Sequence, residues 1–316
     1  MIQGALLIAL AALLWATTGI VAKFLFTGTE LQPITLGFLR LVVALPFFWL
    51  LMQRERKRLA ATSGASHSPT LKTLLPLAAL GLFQAFYQSS YLLAVDLTGA
   101  GIATLIALCL PPVLVAILAA PLLGEKPGLL TILSLMAAIA GTAMLVLSDM
   151  ETTGSLRLAG ILMALLAAAV YTGFTLTSRY SAAGTPAFTT AFFCFATASL
   201  ILLPVVAGTG GFDGLNTLGL HHWLMVVYIG IVPTCIGYVS FFSGMRTTPA
   251  TLSSIIVTLE PLFVALMAWV FLSEVLGPTG LAGALILTVA VIVASRYGNS
   301  PGTRSNADAG NKAREA

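Results

Sequence analysis

Ten runs of about twenty apolar residues, divided by short polar breaks, constrain this chain most, because a bilayer core about 30 Å thick is crossed by about 20 helical residues. The runs are Gly4–Phe26, Ile34–Met52, Leu74–Val95, Ile102–Leu122, Leu129–Leu147, Leu158–Thr177, Ala187–Ala207, Trp223–Gly244, Leu252–Leu272 and Thr279–Ser295, numbered below as spans 1 to 10. In hydrocarbon each backbone polar group needs an internal partner, and a helix supplies all of them within one segment. The expected fold class is all-α integral membrane with ten transmembrane helices. Only 8% of the residues are charged, against about 25% in soluble domains, which excludes an ordinary water-soluble globule. Span 1 is too long for a signal-peptide core and has no charged lead-in, so it is expected to stay in the mature protein.

The formal charge of +4 comes from basic residues scattered among loops, with no basic face of interleaved aromatics, so nucleic acid is not an expected partner. With the N-terminus inside, Arg54, Arg56, Lys57, Arg58, Lys72, Lys126, Arg179, Arg246, Arg296, Arg304, Lys312 and Arg314 all fall on the inner side. Asp96, Asp149, Glu151 and Asp213 fall outside with Arg157. Because Lys and Arg favour the cytoplasmic side of short loops, both termini are expected in the cytoplasm, beneath a cytoplasmic (inner) membrane. Gln53–Thr73 and the Gly-rich Gly208–His222 are expected as mobile surface loops, and the polar tail after Tyr297 as disordered. Cys109, Cys194 and Cys235 lie within spans without ligand spacing and are read as small apolar residues.

The chain repeats itself. Shifted by 156 positions, span 1 lies on span 6, with Gly4 on Gly160, Trp15 on Tyr171 and Lys23 on Arg179. Shifted by 149, spans 3 to 5 lie on spans 8 to 10, with Gly81 on Gly230, Pro112 on Pro261, Glu125 on Glu274 and Gly128 on Gly277. Residues 1–148 and 149–297 are therefore expected to form two five-helix repeats, followed by a cytoplasmic tail, 298–316. Five is odd, so the second half enters the membrane from the opposite side, giving an inverted-topology repeat around a central cavity.

Several residues are costly in lipid. Glu260 lies deep in span 9 beside Pro261, and a carboxylate there costs about 2.5–3.5 kcal/mol on insertion scales. It is either a structural carboxyl bonded to a neighbour such as Ser253 or Thr258, or a solvated group that meets an amine or takes part in proton coupling. Pro261 removes the donor to Val257, and Pro111 and Pro112 do the same to Ala107 and Leu108. These prolines are hinge candidates, or else static kinks. Gln84, Tyr87, Gln88 and Tyr91 recur at i, i+3, i+4 and i+7 on span 3, a stripe read as cavity lining over the alternative of interhelical glue. Trp15 with Thr17 and Thr18, Tyr171 with Thr172 and Thr175, and Tyr238 add mid-span polar or aromatic groups. Arg40 in span 2 is expected to snorkel to the outer interface, with pairing to an acid as the alternative. Glu125 and Glu274, closing spans 4 and 9, either cap the following helix start or hold a gate, capping being favoured by the helix dipole.

No enzyme signature accompanies these residues: His67, His221 and His222 form no HExxH, no nucleophile has an evident His partner, and no phosphate-binding GxxxxGK[ST] occurs. Neither a cofactor nor a metal is expected, nor is an ATP-driven pump on this chain alone. A membrane-embedded lipid- or prenyl-modifying enzyme would need clustered acids, which the sequence lacks. A non-transporting receptor or scaffold is the remaining alternative.

LLWATTGIVAKFL in span 1, LGFLRLVVA in span 2, and the pair LCLPPVLVAILAAPLLGE and VTLEPLFVALMAWVFLSE in spans 4 and 9 resemble the EamA family of the drug/metabolite transporter superfamily. The resemblance runs to about Arg296. It implies a secondary transporter, an exporter or exchanger of small metabolites such as amino acids, with a cavity lined by helices of both halves and spans 5 and 10 peripheral. The family pattern matches Trp15, Arg40, Pro112, Glu125, Glu260, Pro261 and Glu274. Span 4 has Pro111 where span 9 has Glu260, so the carboxyl has no repeat mate. Proton coupling and facilitated passage both fit, and a monomer or weak homodimer is expected, since both halves lie on one chain.

Overall fold

Residues 2–63, 71–98, 100–125, 127–148, 158–182, 184–272 and 277–297 are described in a computed structural model. The expected junction of the halves, the tail and Glu274 lie outside them. The described residues form α1 (Ile2–Thr27), α2 (Pro33–Ser63), α3 (Leu71–Thr98), α4 (Ala100–Leu123), α5 (Leu129–Ser148), α6 (Leu158–Ala182) and α7 (Ala187–Gly208). Span 8 is built in three pieces, α8 (Leu220–Ile229), a π-helical segment Gly230–Gly237, and α9 (Tyr238–Met245). Span 9 is divided into α10 (Ala250–Val257) and α11 (Leu259–Leu272), and span 10 is α12 (Pro278–Tyr297).

Among the described residues eight helices are long and apolar enough to cross a membrane, and Leu129–Met144 is a shorter apolar helix. The tenth span is α3. Its 28 residues suffice in length, but Gln84, Tyr87, Gln88 and Tyr91 lower its hydropathy, so it depends on neighbouring helices rather than lipid.

Both loops expected to be mobile are in part built. Helix α2 continues through Arg54, Arg56, Lys57 and Arg58 to Ser63. In the Gly-rich connection Gly210 turns the chain at φ 68°, Asp213–Thr217 forms a 3-10 turn, and Thr35 Oγ1 donates to Gly211 O at 2.9 Å. The Phe212 ring meets Phe38 at 6.0 Å, which gives this stretch an apolar anchor that its composition hides.

Lipid offers no hydrophobic gain for helix association, so the helices approach through small residues. Ala11, Ala12, Ala119, Ala138, Ala167, Ala191 and Ala198 are fully buried, while Leu6, Leu133, Leu200, Trp269 and Leu285 are exposed on the periphery. The helix contacts come in pairs. Helix α3 packs on α6 and α7, and span 8 packs on α1 and α2; α4 packs on α6, and the two pieces of span 9 pack on α1. Adding or subtracting five converts each pairing into the other, and the remaining large contacts, α5 with α12 and α2 with α7, map onto themselves.

The prolines behave differently from one another. Helix α4 runs unbroken through buried Pro111 and Pro112. Span 9 breaks at Thr258, one helical turn before Pro261. Pro261 thus stands in the first turn of α11, where its missing N–H has no intrahelical acceptor in any case.

A polar and aromatic candidate site

The break at Thr258 removes much of the apparent cost of Glu260. The carboxylate occupies the first turn of α11, where unpaired N–H groups and the helix dipole favour negative charge. Glu260 is half-buried and interacts electrostatically with Arg40, Tyr87, Tyr171 and Tyr238, groups from four other spans. The hydroxyls proposed as its partners are directed elsewhere. Ser253 Oγ donates to Pro249 O at 2.8 Å, and Thr258 Oγ1 to Ile255 O at 2.6 Å.

Arg40 differs from the expected snorkelling cation. Its Nη2 donates to Gln88 Oε1 at 2.9 Å, and Gly37, one turn earlier on α2, leaves room for the Gln88 amide. A charge-assisted bond to an amide, in the field of Glu260, competes well with hydration at a distant interface. Gln84, one turn before Gln88, donates through Nε2 to Tyr238 Oη at 3.1 Å. The stripe on α3 therefore reaches α2 with one amide and span 8 with the other.

Its phenols make a second row. Tyr87 stacks on Tyr91 at 5.8 Å and meets Tyr171 of α6 at 5.1 Å. Tyr171 in turn stacks on Phe174 at 6.0 Å. Trp15 packs on Tyr238 at 4.7 Å and on Phe241 at 5.4 Å. Trp15 Nε1, Thr18 Oγ1 and Arg40 Nε are buried without a hydrogen-bond partner among the described residues. By contrast Thr17, Thr172 and Thr175 each donate to a carbonyl of the preceding turn.

Sequence reasoning missed the π-helical segment that positions Tyr238. Pro233 cannot donate to Ile229 O, and Thr234 Oγ1 takes that acceptor instead at 2.8 Å. The wider turn carries Gly237 beneath the Trp15 indole, where a Cβ would lie 3.0 Å from Nε1. The readable signal was Pro233-Thr234 bracketed by Gly230 and Gly237. Thr234→Val is expected to lower stability by about 1 kcal/mol, the net value of one hydrogen bond, measured as a lower thermal midpoint in detergent.

Glu125 closes α4 as expected, but the helix start it caps is not the next one. Its Oε2 accepts from Ala250 N, at the start of α10, at 2.8 Å. Its Oε1 pairs with Arg179 Nε at 3.0 Å. Among the described residues no group of three or more His, Cys, Asp or Glu side chains is placed to hold a metal ion.

The sequence profile of the EamA-like transporter family matches residues 2–147 and 158–296. The chain belongs to this family. Among EamA relatives, the uncharacterized transporter YwfM of Bacillus subtilis is 28% identical over 294 residues, 92% of this chain and 93% of its own. An uncharacterized transporter of Archaeoglobus fulgidus is 26% identical over 225 residues, 71% of this chain and 77% of its own. A protein of known crystal structure shares the fold at a TM-score of 0.71 and 22% identity, covering 95% of this chain and 99% of that one. The EamA assignment and the apolar helices make this a multi-pass membrane protein of a transporter family, seated in a lipid bilayer.

Proposed function

We propose that the protein is a secondary transporter of the cytoplasmic membrane that moves a small polar or amphipathic metabolite, such as an amino acid, outward. Both termini lie in the cytoplasm, and residues 1–148 and 149–297 are the two inverted halves that expose the site alternately to each side. One observation carries this reading. Gln84 bonds Tyr238 and Tyr87 packs on Tyr171 across residues 1–148 and 149–297, while Arg40, held by Gln88, lies in the field of Glu260, amid apolar helices. A purely structural core has no need of a cation, an anion and two buried donors without partners at this depth.

The geometry also suggests unequal movement. Span 9 has a physical discontinuity at Thr258 and span 8 a π-helical turn, both features that redistribute backbone hydrogen bonds at low cost, whereas α4 is continuous. Rocking is therefore assigned to the Pro261 side first, with Pro111 and Pro112 following. Helices from both halves, including Trp15 and Thr18 of α1 and Tyr91 of α3, line the substrate path.

Purified protein in proteoliposomes loaded with unlabelled amino acids is expected to accumulate one or a few labelled amino acids by counterflow. A panel of amino acids and related metabolites that gives no exchange above empty liposomes overturns the reading. Uphill export that persists after an ionophore collapses the pH gradient excludes proton coupling and leaves facilitated exchange.

A further inference from the structure

The corner between α9 and α10 is held by two charged side chains that belong to neither helix. Arg179, in the last turn of α6, donates through Nη1 to Met245 O at 2.7 Å and to Arg246 O at 3.1 Å, the carbonyls that end α9. Glu125 accepts from Ala250 N, at the start of α10, where Pro249 provides no side-chain cap. The two side chains then join each other at 3.0 Å, with side-chain exposures of only 22% and 11%. A cation sits on a helix C-terminus and an anion on a helix N-terminus, so each charge opposes the dipole end beside it.

Local geometry is adapted to this arrangement. Gly124 takes φ 69° and turns the chain as α4 ends, with its N–H on Ala120 O at 3.1 Å and that of Glu125 on Ala119 O at 3.2 Å. The left-handed turn brings Glu125 back across the bundle instead of onward towards α5. At the same end α1 and α9 touch through glycine: a Cβ on Gly244 would lie 2.6 Å from Ile8 Cγ1 and 2.7 Å from Gly4 O.

We propose that Glu125 and Arg179 form a latch that closes the transporter at the end where α4, α6 and α9 finish. The latch ties spans 4, 6, 8 and 9 together, so this end opens only when the ion pair releases the α9–α10 corner. It rests on the alternating-access reading and adds to it a specific closing element.

The test reads accessibility rather than flux, which keeps its outcome separate from that of the transport assay. In the full-length protein with Cys109, Cys194 and Cys235 replaced by alanine, one cysteine is introduced at Thr251, buried beside the latch, or at Ala103, buried at the far end of α4. A membrane-impermeant maleimide is applied to right-side-out and inside-out vesicles. Glu125→Gln and Arg179→Gln are each expected to speed labelling of the Thr251 probe by about tenfold or more, the scale of losing a bond to a charged group, while the Ala103 probe does not speed up. The double variant is expected to exceed the single ones by less than the product of their effects. Unchanged labelling at Thr251 overturns the latch, and so does equal acceleration at both probes, which reports general loosening. Arg179→Lys keeps the charge without the planar fork and is expected to fall between the parent and Arg179→Gln, whereas a rate equal to that of Arg179→Gln would refute a role for its charge.

Discussion

Gly81→Leu is expected to leave no monodisperse folded protein after extraction in detergent. A Cβ at this position would lie 2.5 Å from Cys194 O and Thr197 Cβ, and 3.0 Å from Ala198 N, so much of the obstacle is the α7 backbone. Relief requires α3 to move away from α7, and α3 also carries Gln84 and Gln88, whose bonds to Tyr238 and Arg40 would separate together. Overpacking commonly costs about 1–3 kcal/mol, and more where backbone cannot yield, against a total stability of about 5–15 kcal/mol. Gly230→Leu is expected to be harmful but milder, because its nearest atoms are Cγ1 and Cβ of Val43, with Arg40 O at 3.2 Å. Gly19, with nothing within 4 Å of its Cβ position, is the control: Gly19→Leu is expected to extract normally. Size-exclusion profiles of tagged protein rank the three, and a normal Gly81→Leu profile would show that α3 and α7 are not closely apposed.

Those two glycines show what the sequence could reveal. Gly81 and Gly230 align in the sequence, and each stands at a close helix crossing, Gly81 against α7 and Gly230 against α2. Span number was legible, and so was the presence of a polar stripe on α3, since length and 3.6-residue periodicity are local properties. Partners were not. Gln84 and Gln88 of the stripe bond neighbouring helices, the alternative set below cavity lining. Arg40 finds Gln88 48 positions away and Glu125 finds Ala250 125 positions away, and helix periodicity alone leaves such choices open. Snorkelling and capping of the next helix were reasonable local answers to questions settled by tertiary packing. The acid and proline of span 9 looked like two adjacent penalties because the run was read as one continuous helix. Once the helix restarts after Thr258, the same two residues are ordinary occupants of a first turn.

Glu260→Gln is expected to keep the fold and lose transport. The amide matches the carboxylate in shape, and Arg40, though it loses its anion, keeps its bond to Gln88 Oε1, so the thermal midpoint should fall only modestly. Counterflow of the amino acid identified for the parent should fall at least about tenfold, the lower scale for losing an interaction with a charged group. Arg40→Gln separates this from a structural role. Alone, it leaves Glu260 without its cation and should reduce both stability and flux. Combined with Glu260→Gln, it removes both charges, so stability should return while transport does not. If the two charges served only to hold the bundle together, flux would return with stability in the double variant. Transport by Glu260→Gln at the parental rate would place the substrate elsewhere and leave the carboxylate as the terminus of a broken helix.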